Sequence, residues 1–398
     1  MISVTEAQKR LLEHLPEYSS EFVALNEVTN RVLDEDVIAD RDFPAFDRVT
    51  MDGIAIRFDE LIQGKQEFPI AGIQAAGAPP MDLVDPKSCI EVMTGAVLPN
   101  GCDTVVPYED LELKEGFAML QRKPERSGIN IHKKGLDQVA GRLLLNAGQQ
   151  ITPGVIGLLA SVGKGLVKVK KLPTVAVIST GDELIDIDLQ PLPHQIRRSN
   201  SFMLSAALIT DGIKGDSFHL PDDQHAMELA IRKLLNNYEV LIFTGAVSKG
   251  KFDFLPEVLE ACGVQTLFHR VAQRPGKPIL FGKHPAGSLI FGFPGNPVSS
   301  LVCYHVYFRY WLHQVLGLRP QSLSAQLEEE VVFKPNLDLH LLVSLRMKDG
   351  VLFASPAAGN NSGDLVSLAR ANGMLHFPAT QSIFPAGSSW PLSLLHPM

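Results

Sequence analysis

The chain has 398 residues, 45% hydrophobic and 20% charged, and 36 Lys and Arg against 44 Asp and Glu give a net charge of −8. This composition excludes a long disordered chain, and the acidic balance argues against a general nucleic-acid binder, which needs basic residues. Four cysteines without a C-x-x-C pair argue against a zinc knuckle, a redox motif or a disulfide framework. The N-terminus lacks a signal-peptide core and no apolar run is long enough to span a bilayer, so we expect a cytoplasmic protein that contacts no membrane.

The N-terminal part predicts short helices around a β-rich insertion. Ser3 to Glu6 is a capping box, which predicts a helix. Four apolar residues share one face of this helix: Ala7, Leu11, Leu12 and Leu15. A second short helix is predicted over Asn26 to Leu33. From residue 44 to 139, short apolar runs alternate with glycine and proline turns, which is typical of a small β domain. Gly141 to Val162 returns to helical spacing, with Pro153 as a first-turn residue.

Residues 172 to 318 have the alternation of a doubly wound domain. Apolar strands such as Thr174 to Ser179 and Val240 to Phe243 alternate with helical segments, which implies a mostly parallel sheet covered on both faces. Residues 319 to 398 lack helical periodicity and predict a β-rich domain. The aromatic residues after Pro297 are interpreted as core or subunit contacts. The sequence therefore predicts a multidomain α/β protein: a doubly wound three-layer αβα domain, a small β domain, a mixed helical and extended linker domain and a C-terminal β-rich domain.

Three loops follow strands of the doubly wound domain directly: Ser179 to Leu184, Thr244 to Asp253, and Phe293 to Ser299. Glycines after a strand let backbone N–H groups approach an anion, and ligands of such sheets lie beyond the carboxyl ends of the strands. None of the three is a Walker P-loop or a G-x-G-x-x-G fingerprint. Each alone is more often an ordinary turn, because glycine turns are common, but together they indicate a phosphate or pyrophosphate ligand.

Charged residues accompany these loops. The carboxylates at the same edge are Asp182, Glu183, Asp222, Asp223 and Asp253. Such oxygen ligands suit Mg²⁺, which commonly joins one or two carboxylates to substrate phosphates; the alternative for the aspartates is helix capping. A basic cluster lies at Arg270, Arg274 and Lys277. On an extended chain residues 270 and 274 share a face and could bind an oxyanion, whereas the alternative is a solvated strand face.

The order of motifs resembles the molybdopterin molybdenumtransferase family, which includes MoeA and the gephyrin E domain. The matching strings run through the whole chain: Asp42 to Phe46, Met51 to Gly53, Thr94 to Ala96, Asn130 to Asp137, Thr180 to Leu184, Thr244 to Asp253, Pro275 to Pro278, Pro294 to Ser299 and Ser367 to Gly373. Each string alone is modest, but their shared order is highly specific.

The resemblance implies an elongated four-domain homodimer whose site lies between subunits. The expected domains are a discontinuous linker domain (1–43 and 140–171), the small β domain (44–139), the doubly wound molybdopterin-binding domain (172–318), which is similar to MogA, and the C-terminal β domain (319–398). Such enzymes insert molybdenum from molybdate into adenylylated molybdopterin, use Mg²⁺ and release AMP. A transient contact with the adenylyltransferase that supplies this substrate is also implied.

The resemblance assigns roles residue by residue. The catalytic residues it implies are Asp52, Thr94, Asp137, Glu183, Asp222 and Asp253, with Glu183, Asp222 and Asp253 as metal ligands. The substrate-binding residues it implies are Gly245, Ser248, Lys249, Arg270, Arg274, Lys277, Pro294, Gly295, Asn296, Pro297 and Ser299. The sequence departs from the family pattern at Ala246, where a second glycine is usual, and at Lys249 and Lys251, which make this loop more basic.

Two other functions fit parts of the sequence. A molybdopterin adenylyltransferase shares the doubly wound domain but needs little beyond residues 172 to 318. A scaffold similar to gephyrin needs no acidic site, and the acidic residues that the family uses are present here. The matched flanking segments therefore favour the molybdenumtransferase.

Overall fold

The computed structural model describes residues 1–245, 254–319, 322–357, 359 and 362–395. Its helices are α1 (Val4–Leu12), α2 (Phe58–Ile62), α3 (Pro153–Ser161), α4 (Ser199–Thr210), α5 (Gln224–Asn237), α6 (Leu255–Ala261), α7 (Pro297–Cys303), α8 (Tyr310–Leu316) and α9 (Leu365–Arg370). A π-helical segment, Tyr304–Arg309, joins α7 to α8. Within the described ranges, none of these helices is both long and apolar enough to cross a membrane.

The strands are numbered in chain order. The first fourteen are β1 (Ser20–Ala24), β2 (Val37–Ile38), β3 (Arg48–Val49), β4 (Gly53–Ile56), β5 (Glu67–Gln74), β6 (Cys89–Val92), β7 (Thr104–Pro107), β8 (Leu111–Lys114), β9 (Phe117–Leu120), β10 (Ile131–His132), β11 (Leu143–Leu145), β12 (Leu166–Lys170), β13 (Val175–Thr180) and β14 (Leu184–Ile185). The others are β15 (Ile196–Arg197), β16 (Asp216–Leu220), β17 (Val240–Thr244), β18 (Gln265–His269), β19 (Gln273–Arg274), β20 (Leu280–Lys283), β21 (Leu289–Phe293), β22 (Leu323–Leu327), β23 (Val331–Val332), β24 (Asp338–Lys348), β25 (Val351–Pro356), β26 (Gly373–Phe377), β27 (Ile383–Phe384) and β28 (Ser389–Leu394).

The chain divides into two compact units. The first unit comprises residues 1–34, 148–157 and 165–398, and the second comprises residues 35–147 and 158–164. The first unit contains the doubly wound sheet, in the order β16-β13-β17-β21-β20-β18. Its first four strands are parallel, whereas β20 and β18 run antiparallel to their neighbours.

The doubly wound sheet has an apolar core on each face. Along β17, Val240 and Ile242 pack into one core, and Leu241 and Phe243 pack into the other. Successive strand residues point to opposite faces, so this all-apolar run is what a sheet covered on both sides requires. Each fully buried side chain of this size contributes about 1.5–3 kcal/mol. The first core also contains the aromatic residues after Pro297 that the sequence analysis assigned to core or subunit contacts: Tyr304, Tyr307, Phe308 and Trp311.

The C-terminal strands of the first unit close into a small barrel. Their order is β19-β24-β25-β22-β28-β26, and β26 also pairs with β24. Strand β19 extends this sheet from within the doubly wound segment, because Gln273 pairs with Asp338 and Arg274 with Leu339. Hence the predicted β-rich C-terminal region is present and is joined by hydrogen bonds to the basic segment around Arg274.

The second unit is built on a six-stranded sheet in the order β7-β4-β6-β5-β9-β8. Strand β4 lies between β7 and β6 and is wholly buried. Gly53 opens this strand because there is no space for a side chain: a Cβ atom there would lie 2.0 Å from the carbonyl oxygen of Val106. The fold class predicted from the sequence, with its doubly wound and β-rich parts, is thus confirmed.

Several local predictions were wrong. Over Asn26 to Leu33 there is only a 3₁₀ turn, Leu25–Glu27, because Asn30 adopts a left-handed φ of 65° and Leu33 forms a bridge with Val169. Helix α3 begins at Pro153, and the residues before it form β11 paired with β2. The capping box is confirmed, since Ser3 accepts a hydrogen bond from the Glu6 amide. On the predicted apolar face, Ala7 and Leu11 are buried, whereas two residues are exposed: Leu12 and Leu15.

Candidate functional site

The described residues of the three predicted loops meet at one edge of the doubly wound sheet. Strands β13, β17 and β21 are adjacent and parallel, so their carboxyl ends lie side by side. The amide of Gly245 donates to the carbonyl of Phe293 at 3.1 Å. Asn200, at the start of α4, donates to Thr244 Oγ1 at 2.9 Å and to the Gly295 carbonyl at 2.6 Å. These bonds hold the second and third loops together.

A cleft of about 1470 Å³ opens above this edge within the first unit. Ten of the predicted site residues line it: Glu183, Asp222, Gly245, Arg274, Lys277, Pro294, Gly295, Asn296, Pro297 and Ser299. The opposite wall comes from the C-terminal region and includes β24 residues and Ser367 of α9. Most of the site residues predicted from the sequence therefore share this cleft.

The carboxylates of the cleft have distinct roles. Asp223 caps α5, because its side chain accepts from the amide of Ala226 at 2.7 Å. Asp182 accepts from the amide of Asp222 at 3.0 Å and so connects the loops after β13 and β16. Glu183 lies over Gly181: a Cβ atom on that glycine would be 2.4 Å from Glu183 Oε2. Glu183 and Asp222 are the two predicted metal ligands that line the cleft.

The three residues of the predicted basic cluster do not all lie in the cleft. Arg274 and Lys277 are exposed residues of the cleft lining, whereas Arg270 is not part of that lining. The predicted continuous extended segment was wrong, because Arg270 adopts a left-handed φ of 74° between β18 and β19. The side chains of residues 270 and 274 therefore lack the shared strand face that the spacing predicted.

Three predicted site residues lie outside the described residues: Ser248, Lys249 and Asp253. Across the part of the chain that the structure describes, no group of three His, Cys, Asp or Glu side chains is arranged to hold a metal ion. Glu183 and Asp222 still provide the oxygen donors that Mg²⁺ prefers, and Mg²⁺ commonly takes only one or two carboxylates beside substrate phosphates. The residues present thus fit this metal.

The sequence analysis missed several polar residues of the cleft. Arg197 and Arg198 line it, and Arg198 also pairs with Asp186 at 2.8 Å. Thr180 Oγ1 and Asn200 Oδ1 are buried there without a hydrogen-bond partner among the described residues. The sequence does carry a signal for this part of the cleft lining: two adjacent arginines lie directly before a helix in an acidic chain.

In the second unit, Asp52 and Thr94 form a hydrogen-bonded pair. Asp52 Oδ1 accepts from the Thr94 amide at 2.6 Å and from Thr94 Oγ1 at 2.7 Å. These two donors hold the pKa of the Asp52 carboxyl below its ordinary value. Asp52 is exposed, so the pair presents an ionised carboxylate to solvent. The Met51 to Gly53 and Thr94 to Ala96 strings, which lie far apart in the sequence, are therefore one structural feature.

Asp137 belongs to a second polar group of the same unit. Its Oδ1 atom lies 2.8 Å from Nε2 of His132. The other ring nitrogen of His132, Nδ1, lies 3.1 Å from a guanidinium nitrogen of Arg48. Because Arg48 can only donate, His132 Nδ1 accepts and Nε2 carries the proton that it donates to Asp137.

Comparisons with known proteins agree with this architecture. Residues 2–163 match the MoeA N-terminal region (domains I and II), and residues 176–314 match the probable molybdopterin binding domain. The chain is 39% identical to the molybdopterin molybdenumtransferase of Synechocystis, over 98% of this chain and 99% of that protein. It is 32% identical to the one of Staphylococcus epidermidis, over 97% and 94%. A crystal structure of the molybdopterin biosynthesis MoeA protein from Pyrococcus horikoshii covers 100% of both chains, with 28% identity and a TM-score of 0.78.

The doubly wound sheet with a polar cleft at its strand ends, joined to β-rich regions, defines a multidomain α/β protein with a domain of the molybdopterin-binding type. The chain belongs to the molybdopterin molybdenumtransferase family and is an enzyme of molybdenum cofactor biosynthesis. The resemblance seen in the sequence is thereby confirmed.

Proposed function

We propose that this enzyme inserts molybdenum from molybdate into adenylylated molybdopterin and releases AMP in a Mg²⁺-dependent step. The observation that carries the proposal is the cleft of the first unit, which joins glycine loops at three strand ends, two carboxylates and three exposed cations, Arg197, Arg274 and Lys277. A dithiolene substrate with a phosphoanhydride needs all three kinds of group. Cations and amides bind the phosphates, and carboxylates hold a metal ion.

Several kinds of residue would contribute to substrate binding. Arg274 offers a planar guanidinium that pairs with an oxyanion through two N–H groups, and Lys277 offers a compact charge. Gly245 and Gly295 line the same cleft, and Pro294, Asn296, Pro297 and Ser299 shape its third loop. Ser248 and Lys249, which lie outside the described residues, would belong to the same set. Arg270 is not included in the proposal because it does not line the cleft.

Glu183 and Asp222, with Asp253 from the second loop, would hold Mg²⁺. When bound, the ion neutralises charge on the phosphoryl oxygens. Asp182 orients this group by accepting from the amide of Asp222. Removing one carboxylate should therefore reduce AMP release without unfolding the protein, because both side chains line an open cleft.

We also propose that the protein is a homodimer of four-domain chains, with the domain boundaries expected from the sequence. Asp52, Thr94 and Asp137 would serve the reaction in the partner subunit. A mixing experiment tests this: Asp52→Ala and Lys277→Ala proteins, each inactive alone, should recover part of the activity as a mixed dimer. Mixed dimers without any recovery would contradict the shared site.

The central experiment supplies adenylylated molybdopterin, molybdate and Mg²⁺ and measures AMP together with active cofactor. We expect AMP release that depends on molybdate, on Mg²⁺ and on Lys277. A parallel incubation with ATP and molybdopterin should form no adenylate. Adenylate formation there, or folded protein that releases no AMP in the main assay, would overturn the proposal.

A further inference from the structure

Two basic side chains of the cleft stand on one short loop. Arg274 and Lys277 flank Pro275 and Gly276, and both basic residues are exposed to the cleft. Neither forms an ion pair with another described residue. Two long, unpaired side chains can bind one anion well only if their backbone is held in a fixed position. The question is therefore what fixes this loop.

A buried polar group lies directly beneath the loop. Gln273 is fully buried, and its Nε2 donates to the carbonyl of Pro275 at 2.9 Å. Its Oε1 accepts from the hydroxyl of Tyr307. Cys303 Sγ donates to the carbonyl of Gly276 at 3.7 Å and lies 3.9 Å from Gln273 Nε2. Both carbonyls between the two basic residues are thus held by buried side chains.

The direction of these bonds is fixed by chemistry. A backbone carbonyl can only accept, so the Gln273 nitrogen must face Pro275 and its oxygen must face Tyr307. Cys303 and Tyr307 are four residues apart, which brings them to the same side of their helix. Gly276 has a φ of 89°, and a Cβ atom there would lie 2.6 Å from Cys303 Sγ. The loop is therefore packed tightly onto the polar group.

We propose that Gln273, Tyr307 and Cys303 are positioning residues, which set the spacing of Arg274 and Lys277 for binding an oxyanion. This inference rests on the proposed function of the cleft. None of the three side chains needs to touch the substrate. They act by holding two carbonyl groups of the loop, in a dry environment where an unmade hydrogen bond is costly.

Two variants remove the hydrogen bonds while keeping the packing. Tyr307→Phe deletes one hydroxyl group, and Gln273→Met replaces the carboxamide with an apolar side chain of similar length. We expect each to weaken binding of sodium molybdate, measured by calorimetry, by about tenfold, the loss that one buried hydrogen bond gives. In the AMP-release assay, the KM for molybdate should rise by a similar factor while kcat changes less than about twofold.

The matched control is Tyr304→Phe. Tyr304 lies in the same π-helical segment, is equally buried and donates to Asp211 at 2.7 Å, away from the loop. It should lower the melting temperature but leave molybdate affinity unchanged. Equal weakening by Tyr304→Phe and Tyr307→Phe would overturn the positioning role, because the effect would then be general destabilisation.

Direct removal of the cations separates this inference from the proposed function. If Arg274→Ala and Lys277→Ala bind molybdate as tightly as the unaltered enzyme, the assignment of the cleft fails. If those two variants lose affinity while Gln273→Met and Tyr307→Phe keep it, only the positioning proposal fails. If Tyr307→Phe does not fold, the molybdate affinity of Gln273→Met alone tests the positioning proposal.

Discussion

Replacement of His340 by phenylalanine should make the free energy of unfolding of the enzyme less sensitive to acid. His340 on β24 is 5% exposed and pairs with His376 on β26, with 2.9 Å between the two Nδ1 atoms. His376 Nε2 in turn lies 2.8 Å from the hydroxyl of Ser393. Burial, followed by the neighbouring His376, lowers the pKa of His340 to about 3. The imidazole is therefore neutral in the folded protein throughout the mildly acidic range.

The magnitude follows from linkage between protonation and folding. In the unfolded chain His340 takes up a proton near pH 6.5, whereas in the folded protein it does so only near pH 3. Its contribution to stability is therefore complete above pH 6.5 and is lost progressively as the pH falls towards 3. At about 1.36 kcal/mol per pH unit, the loss between pH 6.5 and pH 5 is about 2 kcal/mol. His340→Phe should remove this part of the pH dependence.

Urea unfolding at a series of pH values tests the prediction. Trp390 packs edge-to-face against Phe377 in the barrel, with ring centroids 5.2 Å apart, so its fluorescence reports on the region that contains His340. The free energy of unfolding should fall less steeply with acid in His340→Phe than in the unaltered protein. Exposed His194, changed to phenylalanine, is the control and should leave the slope unaltered. An unchanged slope in His340→Phe would refute the reasoning.

Three further changes have definite expected results. Gly245→Ala puts a methyl group 2.7 Å from Thr180 Oγ1 at a φ of 108° and should reduce AMP release about 100-fold, whereas Gly287→Ala, with a φ of 111° and open space, should leave it unchanged. Thr94→Val removes one hydrogen bond to Asp52 and should raise the pKa of that carboxyl towards its ordinary value, as NMR titration would show. Asp223→Ala removes the cap of α5 and should cost about 1 kcal/mol in urea unfolding, with AMP release unaffected.

The doubly wound sheet could be predicted because its pattern is local. An all-apolar strand such as β17 can be buried on both faces only in a covered sheet, and Pro297 marks a helix start from the sequence alone. The errors arose where a distant partner decides the conformation. Leu143 pairs with Ile38, more than a hundred residues earlier, so its strand could not be read from neighbouring residues.

The site was predictable to the same extent. Residues directly after strands, such as Gly245 and Asn296, were found because parallel strands bring their ends together. Arg270 was misplaced because no local pattern shows a left-handed arginine. Arg197 was missed because its position in the cleft depends on the pairing of β15 with β14, which brings residues 196 and 197 back to the loop after β13. Side chains that are placed by such pairings between separate segments can be assigned to the site only from the three-dimensional structure.

The pairing of β19 with β24 limits how this chain can be recombined. Among the described residues, the strand partners of Gln273 and Arg274 are residues 338 and 339, so the loop proposed to bind the anion depends on a region far along the chain. A doubly wound segment transplanted without the barrel would leave a free edge next to the loop that carries Arg274 and Lys277. Chimeras of this protein should therefore exchange the two regions as one piece.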